Sequence, residues 1–220
     1  MKIEKIISGL LIVLMVITGS IAVFADIEKD DTSNDLLPLS VIDLKFSCNK
    51  NLSEEEIAKR FDEVNEKYGF YEPFSLEDTE FIRAYANPVK NNSLTRGIIT
   101  RFDVNKKRTY DGITATIKGS VWVDEGVINH SFGGDLVGTA TQPAGKTIKK
   151  LTAYVQIECY GILGSTGVIG KVYSGELPSS VTNNTSINFS KSKVFSAVLL
   201  YYSIGGFLDV EYNNGSFTVS

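Results

Sequence analysis

The chain predicts a mainly β fold: an antiparallel β-sandwich, with a jelly roll as one candidate wiring, preceded by a short N-terminal helical pair. Three observations carry this expectation. Leu151–Tyr160 (LTAYVQIECY) alternates without a break, with Leu151, Ala153, Val155, Ile157 and Cys159 apolar and Thr152, Tyr154, Gln156, Glu158 and Tyr160 between them. Period 2 puts the two sets on opposite faces of a strand, whereas a helix would spread both around its circumference. Turn signals then recur roughly every 8–15 residues from Gly97 onward, the spacing of sandwich strands. Helical periodicity, by contrast, is confined to Leu52–Ala86.

Four segments divide the chain: a signal peptide over residues 1–25, an acidic linker over 26–40, a strand with a helical pair over 41–95, and the sandwich over 96–220. Lys2 and Lys5 open the first segment, Ile6–Ile17 is an apolar run broken by Ser8 and Gly9, and Val23-Phe24-Ala25 suits a signal peptidase. An uncleaved anchor is the alternative, since a span needs roughly 20 apolar residues. Asp26–Ser40 is acidic, turn-rich and without period, as a flexible linker is.

Val41–Cys48 alternates and predicts a strand. Ser53 and Glu56 form a capping box, with Leu52 and Ile57 as its hydrophobic staple. Ile57, Phe61, Val64 and Tyr68 follow as one apolar stripe, ended at Gly69. Ser75 opens a second helix through Ala86, with Phe81, Ile82 and Tyr85 inward and Pro88 beyond its end. The run NEKYGFYEPFSLEDTEFIRAYANP (Asn65–Pro88) resembles the helical preamble of small secreted proteins of Gram-positive bacteria, a group with no named family. That resemblance covers about a tenth of the chain; it implies secretion and transfers no site.

In the β region, Ile98, Thr100, Phe102 and Val104 share a phase before a basic turn at Lys106–Arg108. Thr109–Asp124 reads as one strand, with Ile113, Ala115, Ile117, Val121 and Val123 on one face and Tyr110, Thr114, Thr116, Lys118, Ser120 and Trp122 on the other. Val127–Thr141 reads as two weak strands, and Val168–Leu177 as a poor strand ending at Pro178. Val194–Ile204 is apolar on both faces and predicts the most buried strand. Asn214-Gly215 is a strong hairpin signal; as a two-residue loop it sets Tyr212 against Phe217.

Charge and composition exclude several classes of function. Beyond Ala25 the chain has 20 Lys+Arg against 25 Asp+Glu, with the acids concentrated before Phe81 and a net excess of bases after it. An acidic secreted protein whose one basic motif is Lys106-Lys107-Arg108 is a poor nucleic-acid binder. A single histidine, His130, in the setting Ile128-Asn129-His130-Ser131 matches no nucleophile motif and predicts a surface or loop residue. One histidine and two distant cysteines also give no zinc site, and no metal or other cofactor is expected. The glycines at 161, 164, 167 and 170 lack the spacing of a phosphate loop and predict a hairpin tip. In an oxidising compartment Cys48 and Cys159 could form a disulfide closing a long loop, adding about 4–5 kcal/mol, or remain two buried thiols.

The candidate ligand-binding residues are Trp122, Tyr110, Tyr154 and Tyr160, aromatic rings in the polar phase of the two clearest strands, among Thr, Ser, Gln and Lys. Flat amphipathic rings beside hydrogen-bonding side chains suit a sugar or a protein surface. The competing expectation is that the stripe of Ile57, Phe61 and Val64 packs on these rings and makes them a second core layer. The resulting expectation is a secreted, extracellular, non-catalytic binding protein for a cell-surface polymer, glycan or protein. Its only membrane association would be through the signal segment before cleavage. Two alternatives stand beside it: a membrane-active toxin or antagonist using the alternating run Ser179–Lys193, and a hydrolase using Glu158 or His130.

Overall fold

The computed structural model describes residues 44–90, 98–165 and 167–220. The signal and linker expectations lie outside these residues. Among the described residues two α-helices lead: α1 (Glu54–Lys67) and α2 (Leu76–Tyr85). The capping box forms as expected, with Ser53 Oγ accepting from Glu56 N and the Glu56 carboxylate accepting from Ser53 N. Ser75 caps α2 in the same manner by accepting from Asp78 N. Asp78 then clamps the two helices together. Its carboxylate accepts from Arg60 (2.6 Å), Lys67 (2.8 Å), Tyr68 OH (2.7 Å) and Ser75 Oγ (2.8 Å), so a fully buried charge is paired on every side.

Nine strands follow among the described residues: β1 (Asn87–Pro88), β2 (Ile98–Tyr110), β3 (Ile113–Glu125), β4 (Asn129–Ala140), β5 (Ile148–Leu163), β6 (Val168–Thr182), β7 (Ser186–Ser196), β8 (Tyr201–Tyr212) and β9 (Gly215–Val219). They form two antiparallel sheets. The first runs β1-β8-β5-β6, with β9 also on β8; the second runs β2-β3-β4-β7. The first and second sheets pack face to face, making the expected antiparallel sandwich behind a helical pair. The wiring is not a jelly roll's, whose strands alternate between sheets. Short connections at Asp111-Gly112 and Gly126–Ile128 keep β2, β3 and β4 together as a meander.

The core follows the alternation. Ile113, Ala115, Ile117, Val121 and Val123 of β3 meet Leu151, Ala153, Val155, Ile157 and Cys159 of β5 and Leu208 and Val210 of β8, all with no exposure. Leu151–Tyr160 is central as expected, flanked by β8 and β6.

Several local expectations are corrected. Of the strand expected over Val41–Cys48, residues 41–43 lie outside the described residues. Leu44–Cys48 is not a strand but leads into a 3-10 turn at Ser47–Asn49, because Asn49 Nδ2 and the backbone of Lys45 and Phe46 bond to Glu80 of α2. The Lys106–Arg108 turn is instead strand β2, and the reversal falls at Asp111-Gly112, both with positive φ, as a two-residue hairpin turn requires. β4 is one strand, not two, since Gly134 and Gly138 leave room for Val155 and Leu208 from the facing sheet. β6 runs through Pro178, tolerated because β6 is an edge strand. Val194–Ile204 is not one buried strand. It breaks at Ala197–Leu200 to cross between sheets, leaving Val194 and Val198 exposed. The final hairpin pairs Tyr212 with Gly215 and Val210 with Phe217, a shift of two residues from the expected register. Asn213 causes the shift by bonding Thr147 and Gly145 of the neighbouring connection; an even shift keeps every apolar side chain inward.

Candidate functional site

The outward face of β2-β3-β4-β7 is laid out in rows across the strands. One row is Arg101, Trp122, Gly133 and Ser192; the next is Asp103, Ser120, Asp135 and Ser190; beyond it lie Asn105, Lys118, Val137 and Asn188. Adjacent rows are about 7 Å apart and adjacent strands about 4.8 Å. The face is therefore a regular grid of hydroxyls, amides and charges. Some of its members are bonded in place, with Ser190 Oγ donating to Asp135 (2.7 Å) and the Thr116 and Thr139 hydroxyls hydrogen-bonded to each other (2.8 Å). Charges on it balance: Arg101, Lys107 and Lys118 stand among Asp103, Asp124 and Asp135.

Trp122 is the one large ring in this grid. It is half-buried, and the reason is Gly133: a Cβ there would stand 2.8 Å from Trp122 Cζ2. The indole thus lies across the glycine, one side against the sheet, which holds it as a fixed platform. Sequence reasoning found Trp122 but missed Gly133, whose pairing opposite Trp122 is a matter of register between strands.

The other three rings are elsewhere. Tyr110 belongs to β2 and not β3, so its phase reverses; it sits at the Asp111-Gly112 end of the sandwich, 5.5 Å from the Phe217 ring and under the Arg108 guanidinium. Tyr154 lies on the outward face of the opposite sheet, stacked on Phe207 at 5.2 Å. Burial pushes its hydroxyl up to about 12. Tyr160 has no exposure at all. Phe74 packs edge-on against it at 5.9 Å, and its hydroxyl donates to Asn65 of α1 (3.1 Å). The helical stripe therefore covers Tyr160 and Ile169 as a second core layer, and the four aromatics share no common face.

Glu158, two residues before Tyr160 in β5, is buried as well. It is 7% exposed; Oε1 accepts from Ser174 Oγ (2.8 Å) and Gln156 Nε2 (3.4 Å), and Oε2 has no partner. Burial pushes this carboxyl up, against the hydrogen bonds and the charge of Lys171, with the Asp62 charge adding to the rise. His130 is not a surface residue. It is 3% exposed on the inward face of β4, beside the Phe195 ring, with Nε2 at 3.0 Å from the Ala197 carbonyl; burial holds its pKa down. Neither group can meet a substrate without displacement of the elements over it. The run Ser179–Lys193 comprises the end of β6, a turn and most of β7, two edge strands in opposite sheets.

One more buried carboxylate is held in place by hydrogen bonds. Glu125, in the apolar phase of β3, accepts from Tyr202 OH (2.8 Å) and Lys90 N (2.7 Å) and ties the segment after β1 to the sandwich. Both cysteines are free: Cys159 is fully buried between the sheets, as expected of a buried thiol, whereas Cys48 is exposed in the 3-10 turn, against the expectation of a second buried thiol. Among the described residues no group of three or more His, Cys, Asp or Glu side chains converges as a metal site, and no helix is long and apolar enough to cross a membrane. Comparison with protein-family models finds no match for this chain, and comparison with curated proteins finds none either.

Proposed function

We propose that the protein is a secreted binding protein whose contact surface is the outward face of β2-β3-β4-β7, and that its ligand is an uncharged polysaccharide of a cell surface. The observation that carries this reading is the Trp122 platform over Gly133, set in a grid of Ser, Thr, Asn and balanced charges. A sugar ring stacks its apolar face on a fixed indole while hydroxyls exchange hydrogen bonds with the neighbouring polar groups. Balanced charge supports a neutral polymer over a polyanion, since a polyanion is attracted by a one-signed surface.

Trp122 is the only tryptophan, so its emission reports this face alone. The test is acrylamide quenching of the purified protein during titration with cell-wall polysaccharides. Emission that acrylamide quenches, and that polysaccharide shifts and protects, supports the reading. Emission that no polysaccharide changes overturns it.

A further inference from the structure

The two ends of the sandwich differ in what their connections expose. At one end the connections are polar: Asp111-Gly112, Gln142–Lys146, Asn183–Thr185 and Asn213-Asn214. Lys146 pairs with Asp111 there, and Tyr212 OH donates to the same carboxylate (3.0 Å). At the other end, connections that would ordinarily carry polar turn residues carry aliphatic ones. Val127 and Ile128 join β3 to β4, Val198 joins β7 to β8, and Ile162 stands at the β5–β6 tip. Val194 and Tyr71 flank them. Val127 is 78% exposed, Val198 62% and Tyr71 70%.

These residues adjoin one another. Ala197 N donates to the Ile128 carbonyl (3.1 Å), Gly161 lies against the Val198 carbonyl, and Tyr71 N donates to the Lys171 carbonyl (2.9 Å). Tyr71, Ile162 and Val198 line a single apolar cleft of about 410 Å³ that opens at this end. Single exposed aliphatics need no explanation, but a contiguous set marks a contact surface. Among the described residues, no side chain covers it.

The shape and the charge around it specify the partner. The aliphatics project from the tips of separate connections, so the end is a set of protruding side chains around a cleft. The surrounding exposed or half-exposed charges are mostly cationic. Lys193 follows Ser192 beside Val194, and Arg101 lies one row behind Ile99. Lys90 follows Val89, whose amide bonds the Leu200 carbonyl, and Lys171, its ammonium bonded to the Asn65 carbonyl, lies over the Phe70 ring. Asp124 and Glu72 are the exposed or half-exposed acids near them, and Glu125 is buried against Tyr202 OH and Lys90 N. Protruding aliphatics, an interfacial tyrosine and a cationic collar together match a bilayer with anionic headgroups, where apolar burial and electrostatic attraction add. We infer that this end docks on an anionic lipid surface, with Val127, Ile128, Val198 and Ile162 entering the headgroup–acyl boundary. This contact shares Arg101 and Asp124 with the edge of the polymer-binding face but not the Trp122 platform, and the probe below sits in the β3–β4 connection, so either reading can fail without the other.

The experiment places a depth probe at the tip. In the full chain, Trp122→Phe removes the native indole and Val127→Trp puts the sole tryptophan in the β3–β4 connection. Vesicles of phosphatidylcholine containing phosphatidylglycerol and brominated lipid are then added. Docking predicts strong quenching, at least several-fold weaker on vesicles that carry the same brominated lipid in phosphatidylcholine without phosphatidylglycerol, and reduced as added salt shortens the Debye length. Adding Val198→Asp, an exposed position, lowers the apparent affinity at least tenfold, with the thermal midpoint as a check on the fold. No quenching on either vesicle overturns the inference, including when the protein sediments with vesicles through another segment. Equal quenching with and without Val198→Asp overturns it too. A concentration-dependent dimer in sedimentation, broken by Val198→Asp, overturns it in favour of a second copy of this chain as the occupant.

Discussion

Tyr160 and Trp122 hold matching positions on opposite faces of the sandwich, each in the polar phase of a strand whose other phase fills the same core. Tyr160 is sealed beneath α1 and the segment before α2, while Trp122 is half-open to water. The covered face carries a second hydrophobic layer of Val64, Tyr68, Phe74, Phe81, Ile82 and Ile169. It also carries a carboxyl, Glu158, that burial disfavours in its charged form. The open face carries balanced charges and a ring seated on a glycine. The difference teaches that an aromatic residue in a polar strand phase can serve stability or contact, and that the neighbour laid over it decides which.

The largest effect that would break this comparison is on stability. Tyr160→Ala removes a fully buried ring and leaves Asn65 Oδ1 without its donor, for a loss of about 3–5 kcal/mol. Trp122→Ala empties only a half-open site and costs about 1 kcal/mol or less. Chemical denaturation of the two variants measures both, and equal losses would mean that the two faces are equally structural.

A smaller effect separates the faces by pH. The Glu158 carboxyl is raised from its ordinary value of 4.5, so the native state binds this proton more tightly than the unfolded chain does. Stability on this account declines as pH rises from the ordinary value through the native one, and stays lowered above it. Asp62 shifts in the same direction, by burial and the Glu66 charge. Glu158→Gln therefore raises the thermal midpoint at neutral pH and changes it little in acid. A midpoint difference that is the same across the range would show that the Glu158 carboxyl is not buried.

The smallest effect is chemical rather than energetic. One thiol, Cys48, reacts promptly with a thiol reagent in the native protein, and Cys159 reacts only after denaturation. No thiol released by reduction is expected beyond these two. Prompt reaction of both would mean that the space between the sheets opens readily.

Much of the fold was legible along the chain because its signals are local. The capping box at Ser53, the stripe through Val64 and the alternation of β5 each follow from residues a few positions apart. Misreadings came where a distant contact overrode the local pattern. Asn213 bonds Thr147 and slides the last hairpin by two residues; Glu80 holds Lys45 and Phe46 out of a strand; the crossing between sheets at Ala197–Leu200 divides an apolar run that looked continuous.

The candidate site shows the same division. Sequence alone determined that Trp122 and Tyr160 point away from the core between the sheets, because period 2 is a property of the extended backbone. Only the tertiary structure decided which of them meets water. Alternation reports which face a side chain takes, not what lies over that face. That depends on a helix ninety-five residues away in the chain bringing Asn65 to the Tyr160 hydroxyl, and on strand register bringing Gly133 beneath the indole of Trp122.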